Sequence, residues 1–327
     1  MDFERKNQFK ETEIGHLPND WNLITLKEAC SKIGSGITPR GGANVYTSEG
    51  TALIRSQNVL NNSFSADGLV YLNEDLAEEM ENVTVAKRDV LLNITGDSVA
   101  RCCTVPDNVL PARVNQHVSI IRTNRKELDP IFLKYYLTSL KMQNHMLSLA
   151  QSGGTRNALT KGMIENFVIP KPVMNEQKAI AYFFSNLDSK IELNQRINRT
   201  LEAIGQAVFA RWFVDFEFPN EEGKPYKSIG GEVIFNEELA KEIPKGWKLG
   251  TINDLCASIT SGGTPKRMES KYWNGKIAWF KTGELTDGPL IDSEEHITED
   301  GLRNSACKLW DENTILIALY ASPTWDA

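Results

Sequence analysis

No stretch of eighteen apolar residues occurs in this 327-residue chain, so no membrane-spanning helix is expected. The first fifteen residues, MDFERKNQFKETEIG, are charged throughout and lack the apolar centre of a signal peptide, which predicts a cytoplasmic setting. Cysteine is scarce. Cys30, Cys102, Cys103, Cys256 and Cys307 form no Cys-x-x-Cys pair and no Cys/His ligand spacing, which argues against zinc and for reduced thiols. Catalytic signatures are missing too: no P-loop, no glycine-rich cofactor turn, no His-Glu-x-x-His, no nucleophile elbow and no Asn/Asp-Pro-Pro-aromatic tetrapeptide. Asp215 with Glu222 and Lys224 faintly imitates a nuclease pattern, but at a helix end and in a linker, where a rigid metal site is not expected. The chain reads as non-catalytic.

What is present is a repeat. LPNDWNLITLKEACSKIGSGITPR (17–40) aligns without gaps on IPKGWKLGTINDLCASITSGGTPK (243–266), with ten of 24 positions identical. At the same shift TALIRSQNV (51–59) meets IAWFKTGEL (277–285), and one residue out of phase DVLLNITG (89–96) meets TILIALYA (314–321). Three matches in one order predict a duplicated domain. Each copy reads as mixed α/β, with strands at TALIRSQNV, VLLNITG and HVSIIR and one amphipathic helix over 129–150. Trp21 and Trp247, each three residues after a proline and just before an apolar stretch, read as core anchors rather than base-stacking platforms.

Between the copies, 175–216 contains no proline and one glycine. Ile180, Leu187, Asn194, Leu201 and Val208 fall at d, and Phe184, Ile191, Asn198, Gly205 and Trp212 at a, a sustained heptad ladder. Roughly 40 residues make a helix on the order of 60 Å long, and its apolar seam calls for a partner helix. Net charge is −7 overall but uneven: residues 1–170 hold 18 basic and 19 acidic side chains, whereas 171–327 hold 18 and 24. The first copy is close to neutral and concentrates acid in NEDLAEEMEN (73–82); if that stretch takes one outer face, the opposite face is net basic.

TEIGHLPNDW, SGITPR, VLLNITGD, NQHVSIIR and QSGGTRNALTKGMIENFVIPKP, followed by NEQKAIAYFFSNLDSKIELNQRINRTLEAIGQAVFARWFVDF, resemble the specificity subunits of type I restriction–modification systems over nearly the whole chain. The resemblance implies an α+β protein: a globular α/β target recognition domain (1–172), a central conserved spacer helix forming a coiled coil (173–218), a linker (219–242) and a partial second recognition domain (243–327). It implies a non-catalytic DNA reader that docks adenine-methyltransferase (modification) subunits, with restriction (translocase-nuclease) subunits joining them. S-adenosylmethionine, ATP and Mg are then expected on those partners, and no cofactor or metal in this chain. A second domain shorter than the first, with no second long helix, predicts a half-subunit that forms an antiparallel homodimer on a palindromic bipartite site. The alternatives are one piece of a split subunit completed by another chain, an inactive fragment, or, outside the family, a coiled-coil scaffold.

Base reading needs Arg for guanine and Asn or Gln for adenine, with hydroxyls and cations on phosphate. In the first copy these types gather at loop and strand ends: Thr38 and Arg40; Arg55, Ser56, Gln57 and Asn58; Asn93 and Thr95; Arg113, Asn115, Gln116 and His117; Ser152, Thr155, Arg156 and Asn157. Any single one of them also fits a turn former or a solvated surface residue. Arg40, Arg156 and Gln116 are the leading candidates. The helix-pairing set is Ile180, Phe184, Leu187, Ile191, Asn194, Asn198, Leu201, Val208 and Trp212.

Overall fold

The computed structural model describes residues 9–151, 157–285 and 288–319, which divide into two compact units, one up to Ala210 and one from Arg211 onward. The first unit opens with a hairpin of β1 (Phe9–Thr12) and β2 (Gly15–Pro18), then β3 (Asn22–Thr25) and the one-turn helix α1 (Leu26–Ala29). Thr25 caps α1, and Glu28 returns the bond to the Thr25 amide, so the short helix has both ends of its first turn satisfied.

Two four-stranded sheets follow. One has the order β4 (Cys30–Ser35), β11 (Val118–Thr123), β8 (Val90–Asn93), β9 (Cys102–Thr104). The other runs β6 (Val70–Leu72), β5 (Thr51–Ile54), β10 (Ala112–Val114), β7 (Thr84–Val85), with β10 parallel to β5. The first sheet is shared by two cores because its side chains alternate. Val90, Leu92 and Ile121 face a core built with α3 (Pro130–Leu137), α4 (Leu140–Gln151), α5 (Lys161–Glu165) and β12 (Val168–Lys171). Leu91, Val118 and Ile120 face the second sheet and α2 (Glu74–Glu79). The adjacent cysteines split the same way, Cys102 to one core and Cys103 to the other. Burial pushes the Cys30 and Cys103 thiols up to about 12, so both stay protonated.

The single helix expected over 129–150 is two. Asp129 caps α3 at Ile131 and Phe132, and the helix stops at Thr138, whose hydroxyl bonds back to the Lys134 carbonyl. Ser139 then precedes α4, its Oγ accepting from the Met142 amide. The spacer helix α6 (Met174–Phe209) is 36 residues long, about 54 Å, and a π turn at Ala210–Val214 follows it. Its beginning is fastened to the first unit by polar contacts. Gln177, fully buried, accepts from the Asp129 amide at 2.9 Å and donates to the carbonyls of Glu127 and Pro172. Asp188 receives Lys134 Nζ at 3.1 Å and the Tyr135 hydroxyl at 2.7 Å. Beyond Asp188 every residue of the helix is exposed.

In the second unit the repeat is visible as structure. A hairpin of β13 (Val233–Asn236) and β14 (Lys241–Pro244) occupies residues expected to be linker, and β14 corresponds at the 226-residue shift to β2. The copy therefore begins before residue 243. Trp247 donates its amide to the Pro244 carbonyl as Trp21 does to Pro18, and its ring stacks on Phe218 at 5.6 Å and meets Phe216 edge-on. Next come α7 (Ile252–Leu255), with Thr251 and Asp254 in the roles of Thr25 and Glu28, a pair β15 (Trp273–Trp279) and β16 (Glu295–Ile297), and α8 (Glu299–Arg303). Among the described residues nothing corresponds to β8 through β12. Residues 314–319, matched in sequence to β8, form no strand and are mostly exposed, and Tyr320 and Ala321 lie outside the described residues.

The buried ion pair of the first unit has a testable weight. Asp89 is 1% exposed, accepts from Arg122 through both oxygens at 2.8 and 2.7 Å, and also accepts from the Ala86 amide. Removing it strands a half-buried guanidinium. Asp89→Ala is expected to lower stability by about 2–4 kcal/mol, measured as a fall in the unfolding midpoint in urea.

Candidate nucleic-acid interface

Five segments meet where β4 and β8 end and β11 begins. β4 leaves the sheet at Gly36, whose amide donates to the carbonyls of Asn115 at 3.2 Å and Val118 at 3.1 Å, and Ile37 donates to Val114. Only glycine fits there, since a Cβ on Gly36 would lie 1.8 Å from the Val114 oxygen. β8 ends at Asn93; Ile94 then donates to the His117 carbonyl at 2.9 Å, and Thr95 Oγ1 lies 2.6 Å from His117 Nδ1. Gly96 donates to the Asn157 carbonyl and Leu159 to Ile94, which brings in the segment before α5. Asn93 Nδ2 donates to the carbonyls of Ser56 and Val59 at 2.8 and 3.2 Å, which brings in the segment after β5.

The structure sorts the candidates by what their side chains already do. Thr38, Arg40, Gln57, Gln116 and Asn157 are exposed on the converging segments, while Ser56, Thr95 and His117 are half-buried among them. Arg55 is half-buried, donates to the Gly68 carbonyl and lies over the Tyr46 ring. Four of the candidates have side chains already bonded to main-chain groups. Asn58 is fully buried and joins the Arg55 amide to the carbonyls of Ser65 and Asp67. Asn93 is fully buried, and Asn115 caps its own turn by accepting from the His117 amide at 3.1 Å. Arg113 reaches the other way, donating to the carbonyls of Ala77 within α2 and of Ala112, and burial lowers its pKa. The acidic helix is thus tied to β10 two residues before the Asn115 turn, so it is not remote from the site. Ser152, Thr155 and Arg156 lie outside the described residues.

Sequence reasoning passed over Arg101, an exposed cation on the turn from β8 to β9 that also carries Thr95. Its signal was available: it is the first cation after VLLNITG. Arg40, Arg101 and the exposed amides offer cations and paired donor–acceptor groups on adjoining loops, which suits phosphate and base edges. Among the described residues no three His, Cys, Asp or Glu side chains are grouped as metal ligands.

The tight junction at Gly36 sets a prediction in which the two copies differ. Gly262, its counterpart, has nothing within 4 Å of an added Cβ. Gly36→Ala is expected to cost about 2–3 kcal/mol by forcing the strands apart, and Gly262→Ala close to nothing, compared by urea unfolding of the two variants.

Residues 18–203 and 244–323 match the family model described as the type I restriction modification DNA specificity domain. Among curated proteins the chain is 28% identical over 316 residues, 96% of this chain and 69% of the relative, to the type I restriction enzyme MjaIX specificity subunit of Methanocaldococcus jannaschii. It is 24% identical over 320 residues, 84% of this chain and 68% of the relative, to the type I restriction enzyme HindI specificity subunit of Haemophilus influenzae. Among solved structures, the HsdS subunit from Thermoanaerobacter tengcongensis aligns at 18% identity and a TM-score of 0.42, over 63% of this chain and 47% of that one. The chain thus spans about half the length of that solved subunit. The family match covers most of the sequence and both copies of the repeat, and the chain belongs to the type I restriction–modification DNA specificity family.

Proposed function

We propose that the first unit reads one half of a bipartite DNA site and that α6 joins it to a second reader while docking adenine-methyltransferase subunits. The observation carrying this reading is the state of α6. Its heptad positions Phe184, Leu187, Ile191, Leu201 and Val208 are between 39% and 61% exposed on a helix whose first turns alone are packed. An apolar seam of that length is stable in water only when another helix covers it. Asn194 and Asn198 lie in the same seam and fix a register when they pair across it. A second copy of the chain, antiparallel about a two-fold axis, is the symmetric way to cover it. S-adenosylmethionine, ATP and Mg then belong to the methyltransferase and nuclease subunits.

A second reading is favoured by the second unit: completion of its recognition domain by a segment equivalent to β8 through β12. Leu26, Ala29 and Ile33 are buried in the first copy, whereas their counterparts Ile252, Leu255 and Ile259 are exposed, Leu255 to 88%. In the first copy α1 and its flanking strands are covered by β12, α5 and β11.

Methylation mapping separates the two. The full chain is expressed with its modification subunits and host DNA is sequenced for methyladenine. A palindromic bipartite motif is the expected result for the paired chain, and an asymmetric one for a completed second domain. Leu187→Asp with Ile191→Asp is expected to leave the first unit folded, because both side chains are exposed. It should abolish self-association at micromolar concentration, read by light scattering; an undiminished dimer excludes α6 as the seam.

A further inference from the structure

We infer that Gln116 is the specificity-determining residue for an A·T pair in the half-site, held in reading position by His117 and Thr95. This rests on the reader function proposed above and adds a base and a mechanism to it. Gln116 is the exposed tip of the turn Asn115–His117 between β10 and β11. The turn's backbone is secured on both sides of that tip. The Asn115 amide donates to Ile54 at 3.0 Å, its carbonyl accepts from Gly36 and Val118, and the His117 carbonyl accepts from Ile94. Asn115 Oδ1 closes the turn from inside by accepting from the His117 amide. A glutamine has three side-chain torsions to lose on binding a base, and a backbone already fixed spares the further cost of ordering the main chain.

The side chain is oriented as well. Gln116 Nε2 lies 3.3 Å from His117 Nε2, and His117 Nδ1 lies 2.6 Å from Thr95 Oγ1. A primary amide nitrogen only donates, so His117 Nε2 is the accepting nitrogen. A neutral imidazole has one N–H, which is then on Nδ1 and donates to the Thr95 hydroxyl. Thr95 is itself fixed by its β-bridge to Ala158. One amide N–H of Gln116 is therefore committed to the imidazole, and the other N–H is left beside Oε1. That pair, one donor next to one acceptor, is the complement of adenine N7 and N6–H in the major groove. The opposite amide orientation would require the imidazole proton on Nε2 and would present the donor and acceptor in reversed order along the base edge. His117 acts through Gln116 and is a positioning residue.

The test is selection of randomised DNA duplexes by the full chain assembled with its modification subunits, scored position by position. For Gln116→Ala the preference at one A·T position of the half-site is expected to fall about 5- to 150-fold, with the order of preference elsewhere retained. His117→Phe should flatten the same position, and His117→Gln, which keeps an acceptor in reach of Gln116, should restore part of it. A motif unchanged in Gln116→Ala, or a loss spread evenly over all positions, overturns the assignment. Equal behaviour of His117→Phe and His117→Gln overturns the positioning role. A wild-type complex without any sequence preference overturns the reader function, and this inference with it.

Discussion

Strand β11 is the constraint on which the first unit depends. It is hydrogen-bonded to β4 on one side and β8 on the other, and its alternate side chains enter different cores. A one-residue slip would exchange Val118 and Ile120 with Ser119 and Ile121 and so disturb both cores at once. The double requirement fixes the register more firmly than a sheet with one solvated face can. The site inherits that rigidity, because the turn ahead of β11 is where Gly36, Ile54 and Ile94 deliver their backbone bonds. Loops that converge on one strand end are positioned by main-chain bonds to the sheet and to one another, which lets their exposed side chains vary without loss of the fold.

The same separation of duties runs along α6. Its first four turns hold polar and small residues against the domain, Gln177, Ala181 and Asp188 among them, and its remaining turns carry an unburied heptad face. Attachment by hydrogen bonds to buried Gln177 and by Lys134, which is itself 5% exposed, resists rotation of the helix about its axis. An apolar contact alone would tolerate such rotation, since it has little directional preference. Directional anchoring matters here because a helix about 54 Å long turns a small angular error at its base into a large displacement at its tip.

The repeat, the long helix and the mixed fold were legible in sequence because each rests on periodicity or on spacing, which survives without coordinates. The break between α3 and α4 was not, since the apolar spacing of 129–150 continues through Thr138 and Ser139 and only their back-bonding to the preceding turn ends the helix. The candidate site was half legible. Residue type pointed to loops that the fold brings together, but Asn58, Asn93 and Asn115 have the chemistry of base readers and bond main-chain groups of this chain. An asparagine at a strand end is equally suited to either task, and only burial decides between them. The hairpin β13–β14 was read as linker because four residues of alternating pattern in a polar setting give too short a signal.

Comparison of the two copies shows how one scaffold carries different surface charge. The segment after β5 and its counterpart after β15 share a geometry: Asn58 Oδ1 accepts from the Arg55 amide at 3.0 Å, and Glu284 Oε1 accepts from the Lys281 amide at 3.0 Å. The cations then diverge. Arg55 donates to a main-chain carbonyl and among the described residues has no carboxylate partner, whereas Lys281 is paired with Glu294 and Glu295. Leu53 faces Val70 across the first pair of strands; Trp279 faces Glu295 across the second, with Arg267 against both Trp273 and Trp279 and bonded to Glu295. Backbone bonds at strand ends are retained while the surface charge is rearranged from free cations to internal ion pairs. A phosphate must displace a carboxylate to reach Lys281 or Arg267 but need displace none at Arg55, so equal folds here do not imply equal DNA partners.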